Sequence, residues 1–327
     1  MWYAFKKHYL KTNNSTIICI NSSYLKINKN HSDILKSHEM INVNINDVFK
    51  IIKEEKEYYL VDKNKIINYK INEKLNEKID INLVYYNLTS NFGDELSLFI
   101  TQSLINKNKY NLVSNKKNIN INIIVIGSYI HMAKNNYYIF GSGVRMIESS
   151  KNEHNYTNLQ VNAVRGPLTK KYLEDKNIHV PNIYGDPGLL LPIFYEPLII
   201  KSIQNKIGLI PHKSNYDKYI NNYDTNMFYL INPMDNWKKV INSIFSCKYI
   251  ISSSLHGLIC SDAYNKPNIW LDEYKLQEGD FKFKDYFQSQ DRPYLKISNI
   301  NDFDDRLLYK DGNKINLELL IKQFPFK

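Results

Sequence analysis

The chain has 327 residues, of which 43% are hydrophobic and 23% charged, and it carries a net charge of +10. That length and apolar content suffice for two domains of ordinary size, each with a core. The positive balance does not single out nucleic acid as a partner. Lysine and asparagine are spread along the whole chain instead of clustering on one element with interleaved aromatics, and no zinc-finger or RNA-recognition signature occurs. We expect no nucleic-acid partner, and the charge leaves open peripheral contact with an anionic membrane surface.

Cys19, Cys247 and Cys260 are odd in number and lack metal spacing, which suggests structural thiols in a reducing compartment. The opening residues Met1-Trp2-Tyr3-Ala4-Phe5-Lys6-Lys7-His8 lack a signal-peptide core, and no apolar run approaches the roughly 20 residues needed to cross a bilayer. A soluble cytoplasmic protein is expected, free in solution or at the cytoplasmic face of a membrane. The histidines show no paired spacing with carboxylates or cysteines, so no metal site is expected.

In chain order, residues 1–78 hold short apolar patches such as Thr16-Ile17-Ile18-Cys19-Ile20 and Tyr58-Tyr59-Leu60-Val61. These predict short strands and one charged helix over 47–57. The first clear βα unit follows: Ile81-Asn82-Leu83-Val84-Tyr85-Tyr86 predicts a strand, and Leu96, Phe99, Ile100 and Leu104 then share one helix face. Residues 107–122, rich in Asn and Lys, read as a connector. Residues 121–127 and 137–141 predict strands ending in Gly and Ser turns, where a parallel sheet places its ligands. Residues 159–164 predict another strand, and Pro167 opens the next helix. A second alternating series begins at 206–211 and continues through 227–231 and 235–247. Leu307, Leu308, Leu317, Leu319, Leu320 and Ile321 predict two C-terminal helices, broken at Asp311-Gly312 and Pro325, that pack back on the N-terminal domain.

Residues 249–273 are the most informative segment. Tyr249-Ile250-Ile251 predicts a buried strand, Ser252-Ser253-Ser254 a polar turn able to cap a helix, and Lys266-Pro267 the helix stop before the strand Ile269-Trp270-Leu271. Unpaired amides at such a helix start, with serine hydroxyls and the imidazole of His256 beside them, suit a phosphate or carboxylate. An imidazole titrates near neutrality, so His256 can move a proton as well as hold a charge. A capped helix with a partly buried histidine accounts for the same residues.

That segment and its continuation Gly279-Asp280-Phe281-Lys282-Phe283-Lys284-Asp285-Tyr286-Phe287 resemble the C-terminal signature of the polysaccharide pyruvyl transferase family. Three more blocks match in the expected order: Asn91-Phe92-Gly93-Asp94-Glu95-Leu96, Val164-Arg165-Gly166-Pro167-Leu168-Thr169 and Gly185-Asp186-Pro187-Gly188-Leu189-Leu190-Leu191-Pro192. The resemblance covers roughly residues 80–290 and leaves 1–78 unmatched. It implies an α/β fold with two Rossmann-like domains facing a cleft, as in GT-B glycosyltransferases. The expected boundaries are an N-terminal extension of unknown role (1–78), a first Rossmann-like domain on the acceptor side (79–200), a second on the donor side (201–298) and C-terminal helices (299–327). It also implies phosphoenolpyruvate as donor substrate with no cofactor, and a glycan or lipid-linked oligosaccharide as acceptor partner.

Making a pyruvate ketal from phosphoenolpyruvate requires a proton donor and an anion clamp. His256 is the candidate for proton transfer, and Arg165, at a strand end, the candidate bidentate holder of the donor. A bridge between two loops is the other reading of Arg165. Ser253 and Ser254 join the donor site through the helix start, and His212, after the strand at 207–211, is a candidate to line it from the second series or else a surface histidine. Many relatives carry arginine where this chain has Ser254; if the task of that charge is needed here, Lys282, Lys284 and Arg292 are the candidates to supply it. The alternation in Phe281-Lys282-Phe283-Lys284 predicts an extended segment with both lysines on one face, either a phosphate clamp or a plain amphipathic edge. Asn91 and Asp94 suit sugar hydroxyls, with Asp94 a candidate base or a helix cap. Asp186 is a candidate acceptor contact or a turn former. A nucleotide-sugar glycosyltransferase and a catalytically silent glycan-binding protein remain open as other function classes.

Overall fold

A computed structural model describes residues 8–11, 17–21, 24–26, 31–37, 39–43, 48–54, 57–62, 65–67, 78–145, 156–272 and 280–327. The chain divides into two units, Met1–Lys78 and Ile79–Lys327.

The first unit is antiparallel β. Its strands are β1 (His8–Lys11), β2 (Ile17–Asn21), β3 (Tyr24–Lys26), β4 (His31–Ser37), β5 (Glu39–Val43), β6 (Val48–Glu54), β7 (Glu57–Asp62) and β8 (Lys65–Ile67). They form a sheet of order β1-β2-β3-β6-β7-β8 and a separate β4-β5 pair. The helix expected over 47–57 is instead the β6-β7 hairpin, with Lys50 opposite Val61 and Glu54 opposite Glu57. Val48, Ile51 and Ile52 are β-branched, and the cross-strand pairing outweighs the charge pattern that suggested a helix.

The second unit holds two five-stranded sheets, both fully parallel. One comprises β9 (Ile79–Leu83), β10 (Tyr110–Ser114), β11 (Ile121–Ile124), β12 (Tyr138–Phe140) and β13 (Gln160–Ala163) in the order β10-β9-β11-β12-β13. The other comprises β14 (Ile207–Ile210), β15 (Phe228–Leu230), β16 (Tyr249–Ser252), β17 (Asn268–Leu271) and β18 (Lys296–Ile297) in the order β15-β14-β16-β17-β18. Numbered within each sheet, both orders are 2-1-3-4-5, a doubly wound pattern whose direction reverses between strands 1 and 3. Ligands in such sheets bind beyond the carboxyl ends of the strands at that reversal. The strand β10 lies in the stretch expected to be a connector. It forms because residues 110–114 complete the ladder along β9, from Tyr110 opposite Ile79 to Ser114 opposite Leu83.

The helices are α1 (Phe92–Leu104), α2 (Pro167–Glu174), the single turn α3 (Leu191–Phe194), α4 (Trp237–Ser246), α5 (Leu255–Ala263), α6 (Phe281–Ser289) and α7 (Leu317–Lys322). One buried cluster joins both sheets, with Phe92 and Leu96 of α1, Leu190 and Leu191, Ile210 of β14, and Ile241 and Cys260 from α4 and α5. Cys247 and Cys260 are buried free thiols, while the side chain of Cys19 lies outside the described residues. Toward the C-terminus only α7 is an α-helix among the described residues, preceded by 3-10 turns at Ile300–Asp302 and Asp305–Leu307 rather than the second helix expected. At the chain end, Phe326 meets the rings of Tyr110 and Tyr138 edge-on, and its carbonyl accepts from the Asn106 amide. No described helix is long and apolar enough to cross a membrane.

Candidate active site

A cavity of about 210 Å³ opens at the carboxyl ends of strands 1 and 3 of both sheets. Asn91 and Asp94 follow β9, Gly127, Ser128 and Tyr129 follow β11, His212 and Lys213 follow β14, and Ser254, Leu255 and His256 follow β16. Tyr86, Arg145 and Lys282 complete the wall.

His256 lies in the first turn of α5, its side chain 13% exposed. Ser254 is the cap residue, yet its hydroxyl bonds no amide of the first turn. The turn is set instead by Ser252, whose Oγ accepts from the Ser254 amide at 3.0 Å. The imidazole rests where Gly93 leaves space: a Cβ there would stand 2.2 Å from Nδ1. Nε2 has no hydrogen-bond partner and faces Asp186 Oδ2 at 3.9 Å, itself unpartnered. That gap is beyond hydrogen-bond range. Burial, then the positive charges of Arg165 and Lys282, push the His256 pKa down to about 3. The imidazole is therefore neutral, not poised near neutrality as the bare residue type suggested.

Asp94, 5% exposed, accepts a 2.8 Å hydrogen bond from the Tyr129 hydroxyl, and burial raises its pKa to about 6. It does not cap α1. Asn91 does, accepting from the Gly93 amide at 3.0 Å. Burial lowers His212 to about 4, with Lys282, Lys213 and Arg145 adding to the shift, and its Nδ1 meets Ser214 Oγ at 2.8 Å. Lys282 is 9% exposed, and burial, then Arg165 and Arg145, lowers its pKa to about 8.

Several expected contacts stand elsewhere. Arg165 is fully buried and does not line the cavity. Its Nε donates to Asp285 at 3.0 Å, Nη1 to Ser128 Oγ at 2.6 Å and Nη2 to the Val144 carbonyl at 2.9 Å. Asp285 also accepts from the amide and hydroxyl of Thr169. The Arg165-Gly166-Pro167-Leu168-Thr169 block thus docks α6 and, with it, Lys282. This is the bridging reading of Arg165. Arg292 is likewise spent in a buried 2.9 Å ion pair with Asp262, sandwiched between Phe287 and Tyr309. Lys284 is not on the face of Lys282, because the segment is helical and two residues turn about 200°. It pairs with Asp280 at 2.8 Å, away from the cavity. Gly279 lies outside the described residues. Ser253 is buried, its Oγ accepting from the His212 amide at 2.8 Å, and so fixes the cavity wall without lining it. Asp186 also does not line the cavity; its Oδ1 accepts from the Gly188 amide at 2.9 Å as a turn former, behind His256.

The structure adds cavity residues that the motifs did not indicate: Arg145, Lys213, Tyr129, Tyr86 and Ser128. Their only sequence signal is position, since Tyr86 ends a predicted strand and the others lie just beyond the ends of predicted strands, where ligands gather. Among the described residues, no group of three His, Cys, Asp or Glu side chains is placed to hold a metal ion.

An α/β protein with parallel sheets thus presents, at the reversal points of both, a small cavity with three cationic side chains, two neutral histidines and one carboxyl of raised pKa. The sequence profile of the family described as polysaccharide pyruvyl transferase matches residues 33–273, and the chain belongs to that family. The match begins inside the segment 1–78, earlier than the motifs suggested, and ends before α6. The chain is 28% identical over 218 residues to an uncharacterized protein of Acanthamoeba polyphaga mimivirus, covering 63% of this chain and 73% of that one. It also resembles the crystal structure of a functionally uncharacterized protein from Klebsiella pneumoniae, with TM-score 0.40, 14% identity, and coverage of 68% of this chain and 94% of that chain.

Proposed function

We propose that the cavity binds phosphoenolpyruvate and transfers its pyruvyl group to two hydroxyls of a sugar in a polysaccharide or glycan precursor, as a ketal. Arg145, Lys213 and Lys282 on one small cavity carry this reading, because the donor bears both a carboxylate and a phosphate. They supply the positive charge that an arginine at the position of Ser254 gives many relatives. At about 210 Å³ the cavity is below the roughly 300–1,000 Å³ of sites for drug-sized ligands, which favours this donor over a nucleotide sugar. The fold is read as GT-B-like, residues 201–298 contributing the helix start on the donor side and 79–200 the acceptor side.

The chemistry follows from the groups present. An arriving anion offsets the positive charge that, with burial, holds His256 neutral, so donor binding raises its pKa and lets it carry a proton. His256 protonates C3 of the donor, and positive charge develops at C2. One sugar hydroxyl attacks C2 and gives its proton to Asp94, whose carboxyl is ionised above about pH 6. The C2–O bond to phosphate then breaks with its electron pair leaving on phosphate. The second hydroxyl closes the ketal, and its proton leaves with the phosphate. Asp186, 3.9 Å from Nε2, steadies the imidazolium when it forms.

Incubating the purified protein with phosphoenolpyruvate and a panel of glycan acceptors tests this, following phosphate release and a mass gain equal to one pyruvate ketal. Turnover with a nucleotide sugar and none with phosphoenolpyruvate would refute it.

A further inference from the structure

A second and larger cavity, about 740 Å³, opens beside the first, and the two share Tyr86 as a common wall. Its size falls within the roughly 300–1,000 Å³ of sites that enclose sizeable ligands. Its lining has a distinct character: Tyr85, Tyr86 and Tyr137 supply aromatic surface, exposed asparagines and lysines stand around them, and none of the lining residues is acidic. The floor is braced. Asn115 accepts from the Tyr85 amide at 3.1 Å and donates to the Tyr85 carbonyl at 2.9 Å, and Asn82 accepts from the Lys116 amide at 2.9 Å. Leu88 at the edge is 82% exposed.

We infer that this groove holds the acceptor oligosaccharide, several sugar units long, and delivers its terminal unit past Tyr86 to Asp94. The inference rests on the pyruvyl-transfer reading of the neighbouring cavity. Sugar rings present apolar C–H faces that lie against tyrosines, and hydroxyl edges that exchange hydrogen bonds with amides and accept from ammonium groups. Continuity fixes the direction. The Tyr86 ring is stacked at 9° on Tyr129, 6.3 Å between centroids, and the Tyr129 hydroxyl is bonded to Asp94. A chain lying on Tyr85 and Tyr86 therefore ends with its hydroxyls at the carboxyl proposed as their base. The groove is separate from the groups that hold the donor, so the acceptor can be long while the donor cavity stays small.

The test uses the full chain on an array of oligosaccharides, with single-stranded oligouridylate as a competitor of a different class. Leu88→Ser combined with Lys117→Ser alters two exposed groove residues and should leave the fold intact. Tyr137→Ala is the second variant, with its melting temperature measured alongside. Binding of oligosaccharides should weaken at least about tenfold in both variants, as for loss of packed contacts, and survive in His256→Gln. In turnover, the acceptor KM should rise while the phosphoenolpyruvate KM stays unchanged. No oligosaccharide bound, binding equal in the variants and the parent, or oligouridylate displacing every glycan would each overturn the groove assignment. Oligosaccharide binding in the groove without any phosphoenolpyruvate turnover would support the groove and refute the donor reading.

Discussion

Replacing Gly93 by alanine should disable the site without touching a chemical group. A Cβ at this position would lie 2.2 Å from Nδ1, 2.5 Å from Cγ and 2.9 Å from Cβ of His256. Ordinary contacts between carbon atoms need about 3.5–4.0 Å, so the imidazole must retreat by about 1 Å. Turning the ring cannot relieve the clash alone, since His256 Cβ is among the crowded atoms. A misplacement of about 1 Å can cost on the order of 10²-fold in rate. Helix propensity acts in the opposite direction, alanine gaining up to about 1 kcal/mol over glycine in a helix. The expected signature is therefore phosphate release reduced about a hundredfold with a melting temperature close to that of the parent. His256→Gln should fall by at least about the same factor. The double variant should fall little further, because both changes remove the same group. A folded Gly93→Ala protein with turnover within about threefold of the parent would show that His256 needs no fixed position, and the reasoning would fail.

Two further outcomes follow from charge and burial. At saturating phosphoenolpyruvate, with His256 charged by the bound donor, kcat should fall on an acid limb near pH 6, where Asp94 takes up its proton, and the affinity for phosphoenolpyruvate should fall on an alkaline limb near pH 8, where Lys282 loses its own. Lys282→Met should remove the alkaline limb, and Tyr129→Phe, which deletes a bond that favours the carboxylate, should move the acid limb upward; a flat profile in the parent would contradict both assignments. Arg292→Ala leaves the buried Asp262 carboxylate without its cation and should cost roughly 3–5 kcal/mol in denaturant unfolding, while the exposed Lys284→Ala should cost less than about 1 kcal/mol. If Arg292→Ala instead kept full stability and raised the donor KM, Arg292 would belong to the donor site.

The parallel sheets were legible because periodicity is local. Residues 81–86, 121–127 and 207–211 are apolar runs bounded by turn residues, and α1 shows its buried face through Leu96 and Ile100. Alternation in Phe281-Lys282-Phe283-Lys284 misled because four residues fit either period. The wider spacing of Phe283, Tyr286 and Phe287 is helical, and those rings pack with Trp270. The edge strand β10 had no such signal, since its ladder comes from β9, whose paired residues lie 31 positions earlier, as Tyr110 opposite Ile79 shows. Arg165 could not be read locally either. Its partner Asp285 is 120 residues away, and only the folded chain shows that the guanidinium faces inward.

The motif blocks and the cavity wall therefore divide the work. Asn91 caps α1, Gly93 makes room for the imidazole, Arg165 and Thr169 hold α6 through Asp285, and Asp186 stands behind His256. Most of these groups are buried and bonded to the protein, so they build a frame instead of gripping a ligand. The charges on the cavity wall come largely from outside the blocks, from Arg145 and Lys213, with Lys282 carried in by the frame. Such a division explains how a member of the family can have serine at position 254 and keep a cationic cavity. Positive charge can be supplied from any loop that reaches the reversal point, whereas the position of one imidazole depends on a helix start and on a glycine that leaves it space.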